Sequence, residues 1–315
     1  MSKAVKVILT ICIVAVVLGL AIGVVGAVFG GLKTLSLGWQ NGLQVVSSDN
    51  LQMQNFSQNV VPTENIKSVK VSADFCQLSF AEGDSFQVTS SYDPAYWTLS
   101  ISSDAGLLNV ELKSKLNNTG LFSFGSIGIP KSATLVITYP RGSDFQSLAV
   151  AGSAMTVDLG TLAASDLSVS LNASSVVAQN LDCQNLTLSL NAGSMRFDQV
   201  RATQSAGVGL AAGEIVFSSG DISGLNLTVQ AGTFTLNGTI NGSNSVATQA
   251  GAVTLNLAQR ESDITFSSNI TAGSLKVNGS SIKGIGQNIG SQGTGSGKTQ
   301  LGISVTAGSV NVTTQ

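Results

Sequence analysis

From Ser153 to Gly273 a small corner residue returns after 21, 19, 20, 19, 19 and 22 residues, and the segments between corners alternate apolar and polar side chains. A period of two is strand patterning, because successive side chains of a strand point to opposite faces. The Ala-Gly, Asn-Gly and Ser-Gly pairs that interrupt it are turn punctuation. An all-strand sequence that renews itself about every twenty residues predicts a solenoid of stacked coils. A helical repeat is excluded, since the apolar residues fall at i, i+2 and not at i, i+3 and i+4. The Asn/Cys-centred signature of a leucine-rich repeat is absent.

The corners are read as Asp74, Gly106, Ser153, Ser174, Gly193, Gly213, Gly232, Gly251, Gly273 and Gly308, and every one except Ser153 follows an alanine. Two residues beyond the corner stand side chains such as Cys76, Met155, Phe234 and Leu275; four beyond stand Leu78, Val157, Phe197 and Leu255. These are the expected inward columns. One coil buries too little to hold its own shape, so coils should stack about 4.8 Å apart and join their aliphatics into ladders. The alanines and glycines are expected where the wall turns too tightly for a larger side chain, glycine also reaching positive φ without strain. Cys76 is expected in the core and Cys183 in the core or at a corner. Their separation in coil number argues against a disulfide.

The stretch before Ser153 is less even. Tyr92-Asp93-Pro94, Asn117-Asn118-Thr119-Gly120 and the run LFSFGSIGIP read as loops leaving the stack. A length of 315 residues would accommodate two domains at roughly 150 residues each, but the repetition argues for one. The expected organisation is therefore an all-β solenoid (a β-helix) over 65–315 with coils of about 19–22 residues. It carries a long loop at 111–130 and a glycine-rich insert at 283–302 before a terminal coil Ile303–Thr313.

Between Lys6 and Lys33 lie 26 residues without a charge. As a helix they would extend about 39 Å against a hydrocarbon core of about 30 Å, enough to span with tilt. One N-terminal transmembrane α-helix is expected over 7–32, with a cytoplasmic stub at 1–6 and a polar tether at 33–64. Lys3 and Lys6 precede the run and Lys33 follows it, so the expected orientation is N-terminus inside and C-terminus outside. That places a single-pass protein in the cell membrane with an extracytoplasmic domain. The competing reading is a cleaved signal peptide ending near Val25-Gly26-Ala27, whose apolar stretch would ordinarily be shorter, about 7–15 residues. Ile11 is too large for a lipoprotein processing box before Cys12. Gly19 with Gly23, and Gly26 with Gly30, have the GxxxG spacing through which two such helices could form a homodimer.

The anchor, the segment IKSVKVSADFCQLSF, the step I-x-I-P-K-x-x-x-L-x-I over Ile127–Ile137 and the Ala-Gly-cornered strands together resemble the putative-adhesin family of β-strand-repeat domains of bacterial and archaeal envelope proteins. The resemblance covers roughly 65–315. It implies a β-solenoid-like fold, an extracytoplasmic location and adhesion or envelope-stress roles, and it carries over no catalytic residue.

Chemistry is sparse. The chain has no histidine and 10% charged residues, which removes the commonest general base and metal ligand. A net charge of −2 argues against nucleic acid as a partner. Gly293–Thr299 ends like a phosphate loop, yet Gln292 stands where the motif needs glycine. Ser280 and Lys283 match a serine–lysine spacing but lack the helix and partner motifs it requires. Asp158, Asp166, Asp182, Asp198, Glu214 and Asp221 occupy different repeat positions, with Arg196 and Arg201 as the nearby cations, and read as solvated turn residues. Thr233 and Thr235 lack the vertical continuation of an ice-binding array. No catalytic, cofactor-binding or metal site is expected, and no cofactor.

What is regular outside is smallness: Ser170, Ser189, Gly209, Thr228, Ala247 and Ser304 all stand four residues before a corner and should form a flat, nearly uncharged strip. Asn-x-Ser/Thr sequons occur at Asn55, Asn117, Asn172, Asn185, Asn226, Asn237, Asn241, Asn269, Asn278 and Asn311, about twice the number chance placement gives. The expected function is a non-enzymatic, membrane-anchored, adhesin-like surface protein of the cell envelope, meeting a glycan or a protein. The alternative is an envelope-stress sensor or regulator, which with about six cytoplasmic residues would act through a membrane partner.

Overall fold

The computed structural model describes residues 35–39, 43–47, 52–59, 65–115, 133–283, 287–289 and 299–315. The chain divides into two compact units, one of 1–51 and 116–131, the other of 52–115 and 132–315. In the first, β1 (Leu35–Trp39) and β2 (Leu43–Ser47) pair as an antiparallel hairpin. The expected stub and anchor, Cys12 and the four glycines with GxxxG spacing lie outside the described residues. No helix among the described residues is long and apolar enough to cross a membrane.

The second unit is one sheet of 23 strands. Its first part comprises β3 (Gln54–Asn59), β4 (Ser68–Asp74), β5 (Cys76–Gly83), β6 (Gln87–Tyr92), β7 (Trp97–Asp104), β8 (Leu107–Ser114) and β9 (Ala133–Pro140). The regular coils follow in β10 (Phe145–Ser153), β11 (Thr156–Asp158), β12 (Thr161–Asn172), β13 (Ser174–Leu190), β14 (Gly193–Leu210), β15 (Glu214–Ser223), β16 (Leu225–Val229), β17 (Thr233–Asn241), β18 (Ser243–Thr248) and β19 (Ala252–Leu257). The C-terminal part holds β20 (Ile264–Ile270), β21 (Ser274–Val277), β22 (Ser280–Lys283), β23 (Gln287–Ile289), β24 (Thr299–Val305) and β25 (Ser309–Thr313).

From β10 to β19 each rung pairs in parallel with the rung one coil away, so equivalent residues stack. Before the corner the ladder runs Val150, Val169, Leu188, Val208, Leu227, Val246 and Ile303. After it run Val157, Val176, Met195, Ile215, Phe234 and Val253, all at most 1% exposed. Phe217 sits edge-on to both Phe197 and Phe234, with ring centroids 5.5 and 5.4 Å apart. Such edge-to-face stacking adds to the burial of the rings.

The stack departs from the sequence reading in register, at the corners and at both ends. Val157 aligns with Val176 and Ser153 with Asn172, so the coils of Asp74 and Ser153 sit two residues from where corner counting puts them. A shift of two keeps every side chain on its face. The expected burial of Cys76 and Met155 therefore survives. In these first coils the turn is made by left-handed Phe75, Ala154 and Ala173, and only afterwards by Gly193 and Gly213. Gly106 is no corner of the stack: with Ala105 it makes the tight turn of the antiparallel β7–β8 hairpin. The alanines before the corners are exposed at 192, 212, 231 and 250, so the crowding falls on the glycines alone. A Cβ on Gly213, Gly232, Gly251 or Gly308 would stand 2.1–2.6 Å from the carbonyl oxygen of the glycine stacked beneath it.

At the first end, β8 and β9 form a rung beyond β4 and β5, and antiparallel β7, β6 and β3 cover it. The expected tether thus contributes two hairpin strands and β3, and the expected loop 111–130 begins inside β8. At the other end the terminal coil is not the terminal rung. β24 lies between β18 and β20, and β25 between β19 and β21. The chain leaves a rung vacant after β19, builds β20 and β21 beyond it, and returns to fill it. The expected insert 283–302 therefore contributes β23 and the start of β24. Antiparallel β22 and β23 cover this end, so the described rungs at both ends are protected from edge-to-edge pairing.

Candidate interaction surface

On the wall before the corner, the alternation that buries the Val/Leu ladder turns Ser170, Ser189, Gly209, Thr228, Ala247 and Ser304 outward in direct register. The sequence-expected strip exists as a column. A second column, Ser168, Thr187, Gly207, Asn226, Ser245 and Gly302, runs beside it. Together they make a flat wall of hydroxyls, amides and glycines. At its border Asn185 donates from Nδ2 to Asp166 Oδ1 at 2.8 Å and accepts from Ser205 Oγ at 2.8 Å.

Charge lies elsewhere. On another wall Asp182, Arg201 and Asp221 occupy one column, with Arg201 Nη1 3.3 Å from Asp182 Oδ2. Asp221 accepts from Thr239 Oγ1 at 2.8 Å and from Asn241 Nδ2 at 3.1 Å. This column was missed by sequence, although its spacings of 19 and 20 residues repeat the coil length. After the corner, Arg196 pairs with Glu214 across two rungs. These pairs are exposed and half satisfied by neighbours in the stack, so they act as surface ties. Thr235 does continue vertically, onto Thr254, but Val216 and Asn311 end the run.

No group of three or more His, Cys, Asp or Glu among the described residues is placed to hold a metal ion. Cys76 and Cys183 are both buried and unpaired. Burial, with Asp74 nearby, pushes the Cys76 thiol up to about 12. Burial, with Asp182 and Asp166 nearby, does the same to Cys183. Neither is a nucleophile at neutral pH. Ser280 and Lys283 stand at opposite ends of β22, three residues apart on a strand and hence on opposite faces. A shallow cleft lined by Asn65, Lys67, Ser68, Ala105, Gly106 and Gln146 lies at the β7–β8 turn, with Lys67 as its one charged group.

Several solved structures are similar to this chain at low identity and low TM-score. A "putative cell adhesion protein" of Clostridium sporogenes is 12% identical over 84% of this chain and all of that one, with a TM-score of 0.29. A "putative adhesin" of Bacteroides fragilis is 9% identical over 83% and 97%, with a TM-score of 0.35. A "putative lipid binding protein" of Parabacteroides distasonis is 14% identical over 82% and 96%, also at 0.35. No curated protein matches the chain in sequence. Residues 61–313, which take in nearly the whole coil stack, match the family described as Toastrack DUF4097, and the chain belongs to that family.

Proposed function

We propose that this protein is a non-enzymatic, adhesin-like surface protein of the cell envelope, held at the membrane through residues 7–32 and using the flat wall before the corner to meet an envelope glycan or protein. The observation that carries the reading is the paired outward columns through Ser168 and Ser170, uncharged and in register over six rungs. A wall without long side chains loses little rotamer entropy when covered, and its regular hydroxyls and amides suit an extended, polar partner. The test is capture of envelope fractions by the purified protein, beside variants Ser170→Arg and Ser189→Arg. Both side chains point outward, so neither change disturbs the core. Capture of a glycan or protein that the arginines abolish supports the reading. Equal capture by wild type and variants, or turnover of a cell-wall polysaccharide, overturns it.

A further inference from the structure

We propose that Asn226 is a site of asparagine-linked glycosylation, a reading that rests on the extracytoplasmic location proposed above. The sequon Asn226-Leu227-Thr228 lies wholly within β16. Alternation buries Leu227 and leaves Asn226 and Thr228 exposed side by side on the outer wall, so acceptor amide and sequon hydroxyl face solvent together.

The neighbours of this sequon are cleared in a way the fold does not require. Gly207 is in register with Asn226, and Gly209 with Thr228. Ser245 and Ala247 flank them on the other side. Each corner glycine from Gly193 onward would place a Cβ within 2.6 Å of a carbonyl oxygen, whereas a Cβ on Gly207 or Gly209 would meet nothing closer than a carbonyl oxygen at 3.9 Å. Glycine inside a strand weakens it and often marks close approach of another group. Two such glycines beside one sequon leave room for a bulky substituent over β14 and β16. Two other sequon asparagines are tied to neighbours: Asn185 is held between Asp166 and Ser205, and Asn278 donates to Glu261 and Thr314.

The donor class is an oligosaccharide on a lipid pyrophosphate. The anomeric C–O bond breaks and the lipid pyrophosphate leaves with the bonding pair. Asn226 Nδ2 forms the new C–N bond, and its proton passes to a base of the transferase. The sugar would then stand on the wall beyond Ser189 and leave the rungs of Ser170 and Ser189 open to a partner.

The test is mass spectrometry of peptides spanning Asn226 from protein purified out of its own cells, beside Asn226→Gln and Thr228→Val. A saccharide mass on the wild-type peptide, absent from both variants, is the expected result. Protease digestion of intact cells is run in parallel. An unmodified Asn226 in protein that the protease reaches overturns the inference alone; protein protected from the protease overturns the location and the inference with it.

Discussion

The side-chain amide of Gln259 pairs with both backbone groups of Ile240: Oε1 accepts the Ile240 N–H at 3.0 Å, and Nε2 donates to the Ile240 carbonyl at 2.9 Å. Ile240 is fully buried, and its N–H and carbonyl point toward the rung that the chain abandons after Leu257. The glutamine stands in for the missing strand residue. Gln259→Ala leaves the Ile240 N–H without this partner and its carbonyl with only the Thr299 hydroxyl, which donates to it at 3.4 Å. An unmade bond to a buried backbone group costs about 1–3 kcal/mol. A urea midpoint lowered by about 2 kcal/mol equivalent is expected, and a change below 0.5 kcal/mol would show that water replaces the amide.

The two kinds of glycine separate in a second measurement. A Cβ on Gly213 would fall 2.1 Å from the Gly193 oxygen, at φ +110°. Gly213→Ala is expected to destabilise by about 2–3 kcal/mol, through overpacking and backbone strain. Gly207→Ala, in open space, should stabilise by about 0.5 kcal/mol through the unfolded chain. Chemical denaturation of both variants decides, and similar effects would remove the distinction between crowded and cleared glycines.

Much of this was legible in the sequence because inward or outward facing depends only on parity. The two-residue misalignment at Asp74 and Ser153 therefore left Cys76, Leu78 and Val157 correctly inside. The misalignment itself arose because Phe75, Ala154 and Ala173 adopt a left-handed turn that favours glycine, with no glycine to mark it. The strip through Ser170 and Ser189 was legible because those rungs are consecutive in chain and in space. The position of β24 and β25 was not: a period states how long a coil is, and is silent on which coil it touches. Gly207 and Gly209 look like Gly232 and Gly251 in the sequence, and only the missing clash tells them apart.

Thr248 occupies the column of Leu190, Leu210 and Val229, is 2% exposed, and its Oγ1 has no partner among the described residues. Thr248→Val keeps the shape and removes a hydroxyl that was desolvated without return. A gain of about 1 kcal/mol is expected. A loss would mean that an internal water satisfies the group, which a denaturation curve distinguishes.

The C-terminal coil fastens the far end. β20 and β21 pair with the stack only through β24 and β25 among the described residues. Ending the chain at residue 298 should therefore strip hydrogen-exchange protection from 264–277 as well as lower the melting temperature. Val246 and Val253 would also lose a covering rung. Retained protection over 264–270 would show that the end rung docks without the terminal coil.

The thiols give a pH signature. Folding raises the Cys76 and Cys183 pKa values from an ordinary 9.0 to about 12, so the folded chain holds two protons that the unfolded chain releases as the pH passes 9. Tyr139, whose hydroxyl donates to the Thr161 carbonyl at 2.6 Å, moves in the same direction from 10.0 to about 12, by burial and then by Glu82. A raised folded value favours the neutral form, so this stability is complete below pH 9 and declines as pH rises toward 12. Urea midpoints should fall across that window and flatten below it. At pH 8 neither thiol should react with a thiol reagent until the stack unfolds, at a rate set by opening and not by reagent concentration. Rapid labelling of either cysteine in the folded protein would place it outside the ladder that holds the coils together.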